Sequence, residues 1–191
     1  MNVVLSRLVL RRNPLKIMIK KILYILTISV LATFSTSLRA EKVPDMDSVN
    51  FEESASSLVA EQLQRNRIIE QAFKHIGARY RHGTAGPRTF DCSGFTSYVF
   101  GKENISLSRC SRTQYTQGTA VHGIDNLRRG DLVFFSGRRI SRTVGHVGIV
   151  VDVAEDGKSF TFVHASCSGV KVDKSTSSYY IRRYIGARRV I

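Results

Sequence analysis

The sequence lacks internal repeats and low-complexity segments, and its composition is that of an ordinary globular protein. A repeat architecture is therefore excluded. The length of 191 residues suits one folded domain with additional terminal segments. No nucleic-acid recognition motif is present, and we expect no nucleic-acid partner.

Closely spaced pairs of cysteine and histidine, which are typical of zinc sites, are also missing. We therefore expect neither a metal nor another cofactor. The three cysteines, Cys92, Cys110 and Cys167, are an odd number. If Cys92 is a free nucleophile, Cys110 and Cys167 could pair in an oxidising compartment or remain thiols, and the sequence leaves both possibilities open.

Acidic residues are absent from the first forty positions, which contain seven lysines and arginines. A basic stretch there precedes a short apolar run at 22–34, and small and polar residues then lead to Ala40. This order is typical of a secretory signal, so we predict cleavage near Ala40 and a periplasmic or secreted protein. The alternative is a membrane anchor through 22–34, although that run is shorter than the roughly 20 residues that a membrane-spanning helix needs. Translation could begin at Met1 or at Met18.

Removal of the predicted signal lowers the formal charge of the chain from +14 to +7. The remaining positive charge either attracts an anionic polymer or forms a merely solvated basic surface. We divide the chain into a signal at 1–40, a polar linker and lead-in at 41–64, and a folded domain at 65–191. We expect a monomer that contacts a membrane only if the signal is not cleaved.

Apolar residues at helical spacing predict a helix from Leu58 to Ile76, a second helix that begins at Cys92, and a short one at 111–118. The pattern then changes to short apolar runs separated by tight turns, which are typical of strands. Helices followed by a series of strands predict an α+β fold with the N-terminal helices packed on an antiparallel sheet. The predicted strands are 131–135, 145–151, 159–164, 169–173 and 184–190.

Cys92 stands at the start of the predicted second helix, directly after Asp91. The Asp91 carboxylate can accept hydrogen bonds from the first turn of that helix. Unpaired N–H groups and the positive end of the helix dipole favour a thiolate at this position. The alternative is an inert, buried cysteine that behaves as a small apolar residue.

Two histidines lie on neighbouring strands of a predicted hairpin. Because side chains alternate between the faces of a strand, His146 and His164 can share one face of the sheet. If the Cys92 helix packs on that face, the three residues form a nucleophile, a base and a group that orients the base. His146 would then take the thiol proton, and His164 would hold the tautomer of His146.

Several sequence blocks occur together and in one order, from about residue 68 to the end of the chain. They resemble the NlpC/P60 family of cysteine peptidases from bacterial cell walls. The chain departs from the family at Ser108, where proline is usual, and at Thr84, where glycine is common. The matching blocks are Gly77-Ala78-Arg79-Tyr80-Arg81, Phe90-Asp91-Cys92-Ser93-Gly94-Phe95, Gly130-Asp131-Leu132-Val133-Phe134-Phe135, Gly145-His146-Val147-Gly148-Ile149 and Phe162-Val163-His164-Ala165-Ser166.

The resemblance implies a papain-like α+β core in which Cys92, His146 and His164 are the catalytic residues. It also implies that Tyr80 lies beside the thiol and that Asp91 and Ser93 line the adjoining substrate subsite.

For function, the resemblance implies a stand-alone murein endopeptidase that cuts peptidoglycan stem peptides or their cross-links through a thioester. Of these two bonds, we favour the cross-link. The alternatives are a catalytically silent cell-wall-binding module and an acyltransferase, which would pass the thioester acyl group to an acceptor other than water.

Overall fold

The computed structural model describes residues 48–191 and, from residue 54 onward, their side chains. The predicted signal at 1–40, the alternative anchor at 22–34 and the first part of the linker lie outside these residues, so they stay predictions. Within the described range, no helix is both long and apolar enough to cross a membrane.

Four helices occur in this range: α1 at Ser48–Phe73, α2 at Cys92–Gly101, α3 at Ser111–Gln114 and α4 at Ser178–Ile181. Helix α1 begins ten residues before the predicted start at Leu58. Only its C-terminal half is packed, since Ile68 and Ile69 are fully buried whereas Leu58 is 60% exposed. Residues 54–60, which are exposed, continue the helix into solvent although three of them are serines, which are only moderate helix formers.

The main sheet has six antiparallel strands in the order β3-β8-β4-β5-β6-β7. The predicted α+β fold with an antiparallel sheet is therefore confirmed. The sequence analysis missed β3, helix α4 and a separate two-stranded parallel pair formed by β1 and β2. The strands are β1 at Arg79–Tyr80, β2 at Thr89–Phe90, β3 at Thr119–Val121, β4 at Leu132–Ser136, β5 at Val144–Val153, β6 at Phe160–Ser166, β7 at Gly169–Lys174 and β8 at Tyr184–Arg189.

The sheet is covered on both faces, and every residue of the central strand β4 is buried. On the first face, helices α1 and α2 pack against alternate residues of the strands through Ile68, Phe95, Val99, Leu132, Phe134, Val147, Ile149 and Val163. The second face carries a smaller cluster that includes Tyr180 of helix α4 and consists of Leu127, Val133, Phe135, Val150, Phe160, Phe162, Tyr180 and Ala187.

The two histidines belong to the second face, because their rings contact the aromatic rings of Phe135, Phe162 and Tyr180. Helix α2 packs on the first face. The expected packing of the Cys92 helix on the histidine face is therefore wrong. Next to His146, the β4–β5 pairing is interrupted by a register shift between Phe135 and Ser136.

Gly148 on β5 makes room for the histidine strand. A Cβ atom at this position would lie 2.7 Å from Cδ2 of Phe162 and 3.2 Å from Cβ of His164. We expect Gly148→Ala to lower the free energy of unfolding by about 1–3 kcal/mol, because the neighbouring side chains must move. Thermal unfolding of the purified variant measures this loss.

Gly101 at the end of α2 provides the matched control, since a Cβ there would meet no atom within 4 Å. Gly101→Ala should be neutral or should stabilise the helix by up to about 1 kcal/mol. If Gly148→Ala unfolded at the same temperature as Gly101→Ala, the close packing of β5 against β6 would be contradicted.

Candidate active site

Cys92 is the first residue of helix α2 and is partly buried. The preceding residue, Asp91, caps the helix by accepting a 2.8 Å hydrogen bond from the N–H of Gly94. Burial raises the pKa of the Cys92 thiol and the charge of Asp91 adds to that shift, whereas the N–H groups of Ser93 and Val147 oppose it. The sequence predicted that the helix terminus favours a thiolate here, whereas the net shift of the pKa is upward and favours the neutral thiol.

The two predicted histidines are joined by a short hydrogen bond, with His146 Nε2 2.7 Å from His164 Nδ1. Their rings are almost perpendicular. Burial and the neighbouring His164 lower the pKa of His146 to about 3, so its imidazole is neutral at physiological pH. Because Nε2 of His146 is hydrogen-bonded to His164, Nδ1 is the nitrogen through which His146 can act as a base.

The hydrogen-bonded chain continues to a residue that the sequence analysis missed. His164 Nε2 lies 2.9 Å from Oδ2 of Asp173 on β7. The same oxygen accepts hydrogen bonds from Tyr180 Oη at 2.8 Å and from Lys171 Nζ at 3.0 Å. The short turn between β6 and β7 pairs His164 with Lys171, which leaves Asp173 diagonally across from His164. The register of this hairpin was the signal that could have revealed Asp173.

Asp91 and Ser93, predicted as substrate-binding residues, direct their polar atoms into the protein. The two Asp91 oxygens accept hydrogen bonds from the N–H groups of Gly83 and Gly94 and from the guanidinium of Arg109. Burial opposes ionisation of Asp91, but Arg109 and the two N–H groups outweigh it and hold the pKa of Asp91 below its usual value. Ser93 Oγ donates a 2.8 Å hydrogen bond to the carbonyl oxygen of Arg109.

Two cavities meet at Cys92. The first, of about 590 Å³, extends past His146 and His164 to Asp173. The second, of about 460 Å³, extends toward Arg109 and also borders on Asp91 and Ser93. Three residues line both cavities and therefore mark the point where they join: Tyr80, Cys92 and Gly145. The structure thus brings the predicted Tyr80 to the predicted nucleophile.

Both cavities have basic side chains in their walls, with Arg138 and Lys171 in the first and Arg109 and Arg112 in the second. An extended, negatively charged substrate could therefore lie across Cys92 with basic groups on either side of the thiol. A third cavity, of about 660 Å³ at the β3–β8 edge, contains none of the predicted site residues.

The other two cysteines, Cys110 and Cys167, are exposed free thiols in this structure. In residues 48–191, no group of three or more histidine, cysteine or acidic side chains is arranged to hold a metal ion.

The NlpC/P60 family matches residues 77–189, which is more than half of the chain. The chain therefore belongs to the NlpC/P60 family. It is 40% identical over 123 residues to a protein named probable endopeptidase p60 from Listeria welshimeri, a match that covers 64% of this chain and 22% of that protein. It is 37% identical over 129 residues to the murein DD-endopeptidase MepS/murein LD-carboxypeptidase of Escherichia coli K12, covering 66% of this chain and 63% of the relative.

Among solved structures, an NlpC/P60 family protein from Bacillus cereus ATCC 10987 superimposes with a TM-score of 0.59 at 27% identity. The superposition covers 66% of this chain and 40% of that protein. The matched region therefore spans about a fifth of the p60 relative and less than two thirds of MepS.

The pair of Asp91 and Arg109 predicts a pH-dependent stability. Because the folded-state pKa of Asp91 is lowered, its contribution is fully present above the unfolded value of about 3.9 and is lost as the pH falls through the folded value. We expect Asp91→Asn, which keeps a cap but removes the charge, to cost about 1–2 kcal/mol at pH 7, since partial exposure of Arg109 weakens the pair.

Unfolding temperatures of both proteins at pH 7 and near pH 2.5 measure this effect. The difference between wild type and Asp91→Asn should shrink at the lower pH. An equal difference at both pH values would show that the charge of Asp91 does not stabilise the fold.

Proposed function

We propose that the protein is a cysteine endopeptidase that hydrolyses peptide bonds in peptidoglycan, with Cys92 as nucleophile, His146 as base and His164 as the group that orients the base. The observation that carries this proposal is the 2.7 Å hydrogen bond between the two imidazoles beside Cys92, at the junction of two cavities. The names of the p60 and MepS relatives support the substrate class.

The reaction begins from a neutral thiol and a neutral imidazole. His146 Nδ1 takes the thiol proton as Cys92 Sγ attacks the carbonyl carbon of the substrate. The C–N bond then breaks, His146 gives its proton to the leaving amine, and the acyl group remains on Cys92 as a thioester. A water molecule attacks this thioester and transfers a proton to His146. The C–S bond breaks, and the released thiolate regains that proton.

The tetrahedral intermediate places a negative charge on the former carbonyl oxygen. Tyr80 lines both cavities beside Cys92, and its hydroxyl is a candidate donor to this oxygen or to the substrate. Burial raises the pKa of Tyr80 and the charge of Asp91 adds to the shift, so the hydroxyl keeps its proton and remains a donor.

Two features favour the cross-link between stem peptides over a bond within a free stem. Arg109 already neutralises Asp91, so this carboxylate is a poor receptor for a free amino terminus. Arg138 on one side of Cys92 and Arg112 on the other also suit a substrate with carboxylates on both sides of the scissile bond. MepS is named a DD-endopeptidase, which agrees with this choice.

Digestion of purified cross-linked muropeptide dimers tests the proposal. The wild-type protein should release monomers with intact stems, as read by mass spectrometry, and shortened stems would instead support a cut within the stem. Cys92→Ala and His146→Ala should each lower the rate by at least about 10³-fold, because the site loses its nucleophile or its base. His164→Ala should lower the rate by less.

Cys110→Ala is the matched control for the loss of a thiol, since Cys110 is exposed and borders the second cavity without a histidine beside it, and the variant should retain most of the wild-type kcat. Unchanged activity of Cys92→Ala would overturn the mechanism. Binding of muropeptides without cleavage would support a silent wall-binding module, and transfer of the acyl group to an added amine would support an acyltransferase.

We further propose that the protein acts outside the cytoplasm after cleavage near Ala40, because the substrate is there and residues 1–40 have the composition of a signal. N-terminal sequencing of the exported protein should give Glu41 as the first residue. A membrane-bound protein that retains 22–34 would instead support the anchor.

A further inference from the structure

The proposed reaction requires that the unprotonated nitrogen of His146 be Nδ1. A neutral imidazole carries one proton, and either ring nitrogen can hold it. His164 does not decide this by itself, since its Nδ1 can donate to His146 or accept from it. The hydrogen bond between the two histidines could therefore be donated by either ring. Only donation from His146 to His164 leaves His146 Nδ1 unprotonated and able to take the thiol proton.

Asp173 is the group that can fix the direction. Its Oδ2 lies 2.9 Å from His164 Nε2, and an ionised carboxylate can only accept a hydrogen bond. His164 must therefore carry its proton on Nε2, and its Nδ1 must accept. His146 must then donate from Nε2 across the 2.7 Å contact, which leaves its Nδ1 unprotonated.

We propose that Asp173 is a positioning residue of the active site, which acts through His164 to hold both histidines in the tautomer that makes His146 Nδ1 a base. The effect of Asp173 on the reaction rate rests on the proposed function. The tautomers of the two histidines do not, because they are set in the protein without substrate. Asp173 acts through His164 and not on the reacting atoms, so it is distinct from the three predicted catalytic residues.

The surroundings hold Asp173 in the charged state and in place. Tyr180 Oη donates to the same oxygen at 2.8 Å, and Lys171 Nζ lies 3.0 Å from it. Burial opposes the charge of Asp173, but Lys171, His164 and Tyr180 outweigh it and keep the pKa of Asp173 below its usual value. Asp173 therefore remains an acceptor throughout the physiological range.

Little solvent reaches His164 itself in the folded protein. The His164 side chain is fully buried, and Tyr180 packs against its ring from helix α4. When His146 becomes an imidazolium during the reaction, its Nε2 can still donate to His164. The negative charge of Asp173 then stabilises the imidazolium through the neutral ring of His164, which lies between them. No proton needs to move onto Asp173.

Asp173→Leu is the decisive variant because the shape is nearly kept while the acceptor is lost. An asparagine would be less informative, since its amide oxygen could still accept from His164 where Oδ2 now faces three donors. In Asp173→Leu, Tyr180 Oη loses its acceptor and can donate to His164 Nε2, 3.3 Å away, which moves the His164 proton to Nδ1 and the His146 proton onto its own Nδ1. We expect kcat on cross-linked dimers to fall by about 10²-fold with a smaller change in KM, since the base is disabled while the cavities keep their shape. Asp173→Glu, which keeps an acceptor, should recover part of the loss.

The matched control is Asp152→Leu, the same chemical change at an exposed position on β5. It should leave kcat and KM at wild-type values. A wild-type kcat for Asp173→Leu would overturn the inference while leaving the endopeptidase proposal intact.

A second measurement separates the inference from the proposed function and from any folding defect. Nitrogen-15 NMR of the histidine rings in the substrate-free wild-type protein reports which nitrogen carries each proton. We expect the proton on Nε2 in both His146 and His164 of the wild-type protein, and in Asp173→Leu we expect it on Nδ1 of both. A proton on Nδ1 of His146 in the wild-type protein would overturn the inference whether or not the protein cleaves peptidoglycan.

Discussion

The hydrogen bond between His146 and His164 depends on the close packing of the second face of the sheet. His164 is fully buried there among Phe162 and Tyr180, and Gly148 leaves the space that the two strands need. In such an environment an unpaired imidazole nitrogen would be costly, so each nitrogen that faces the protein has a partner. The geometry of the candidate site is thus a consequence of how β5, β6 and β7 pack.

A second constraint holds the nucleophile. Asp91 caps helix α2, accepts from Gly83 in the preceding loop and pairs with Arg109 beyond the helix. One buried carboxylate therefore fixes three chain segments around Cys92. Its charge also raises the pKa of the Cys92 thiol. Burial contributes more to this shift than Asp91 does, and the proposed reaction depends on the neighbouring base to remove the thiol proton.

The sequence predicted the parts of this architecture that are local. The alternation of β5 and β6 placed His146 and His164 on one face, and the spaced blocks predicted the fold that the structure confirms. Asp173 and Tyr180 were missed because their proximity to His164 depends on the register of a hairpin and on a four-residue helix. The side of the sheet on which α2 packs depends on long-range packing, which no local pattern determines.

Two cysteines at helix starts show why helix position alone does not identify a nucleophile. Cys110 precedes helix α3, and hydrogen bonds from the N–H groups of Arg112 and Thr113 lower the pKa of its exposed thiol. Cys92 starts helix α2 and also faces backbone N–H groups, but burial raises its pKa. Cys110 therefore has the more stable thiolate of the two, although no pair of histidines lies beside it. What distinguishes Cys92 is its place in one cavity with the neutral imidazole of His146, which in the proposed reaction generates the thiolate when a substrate is bound.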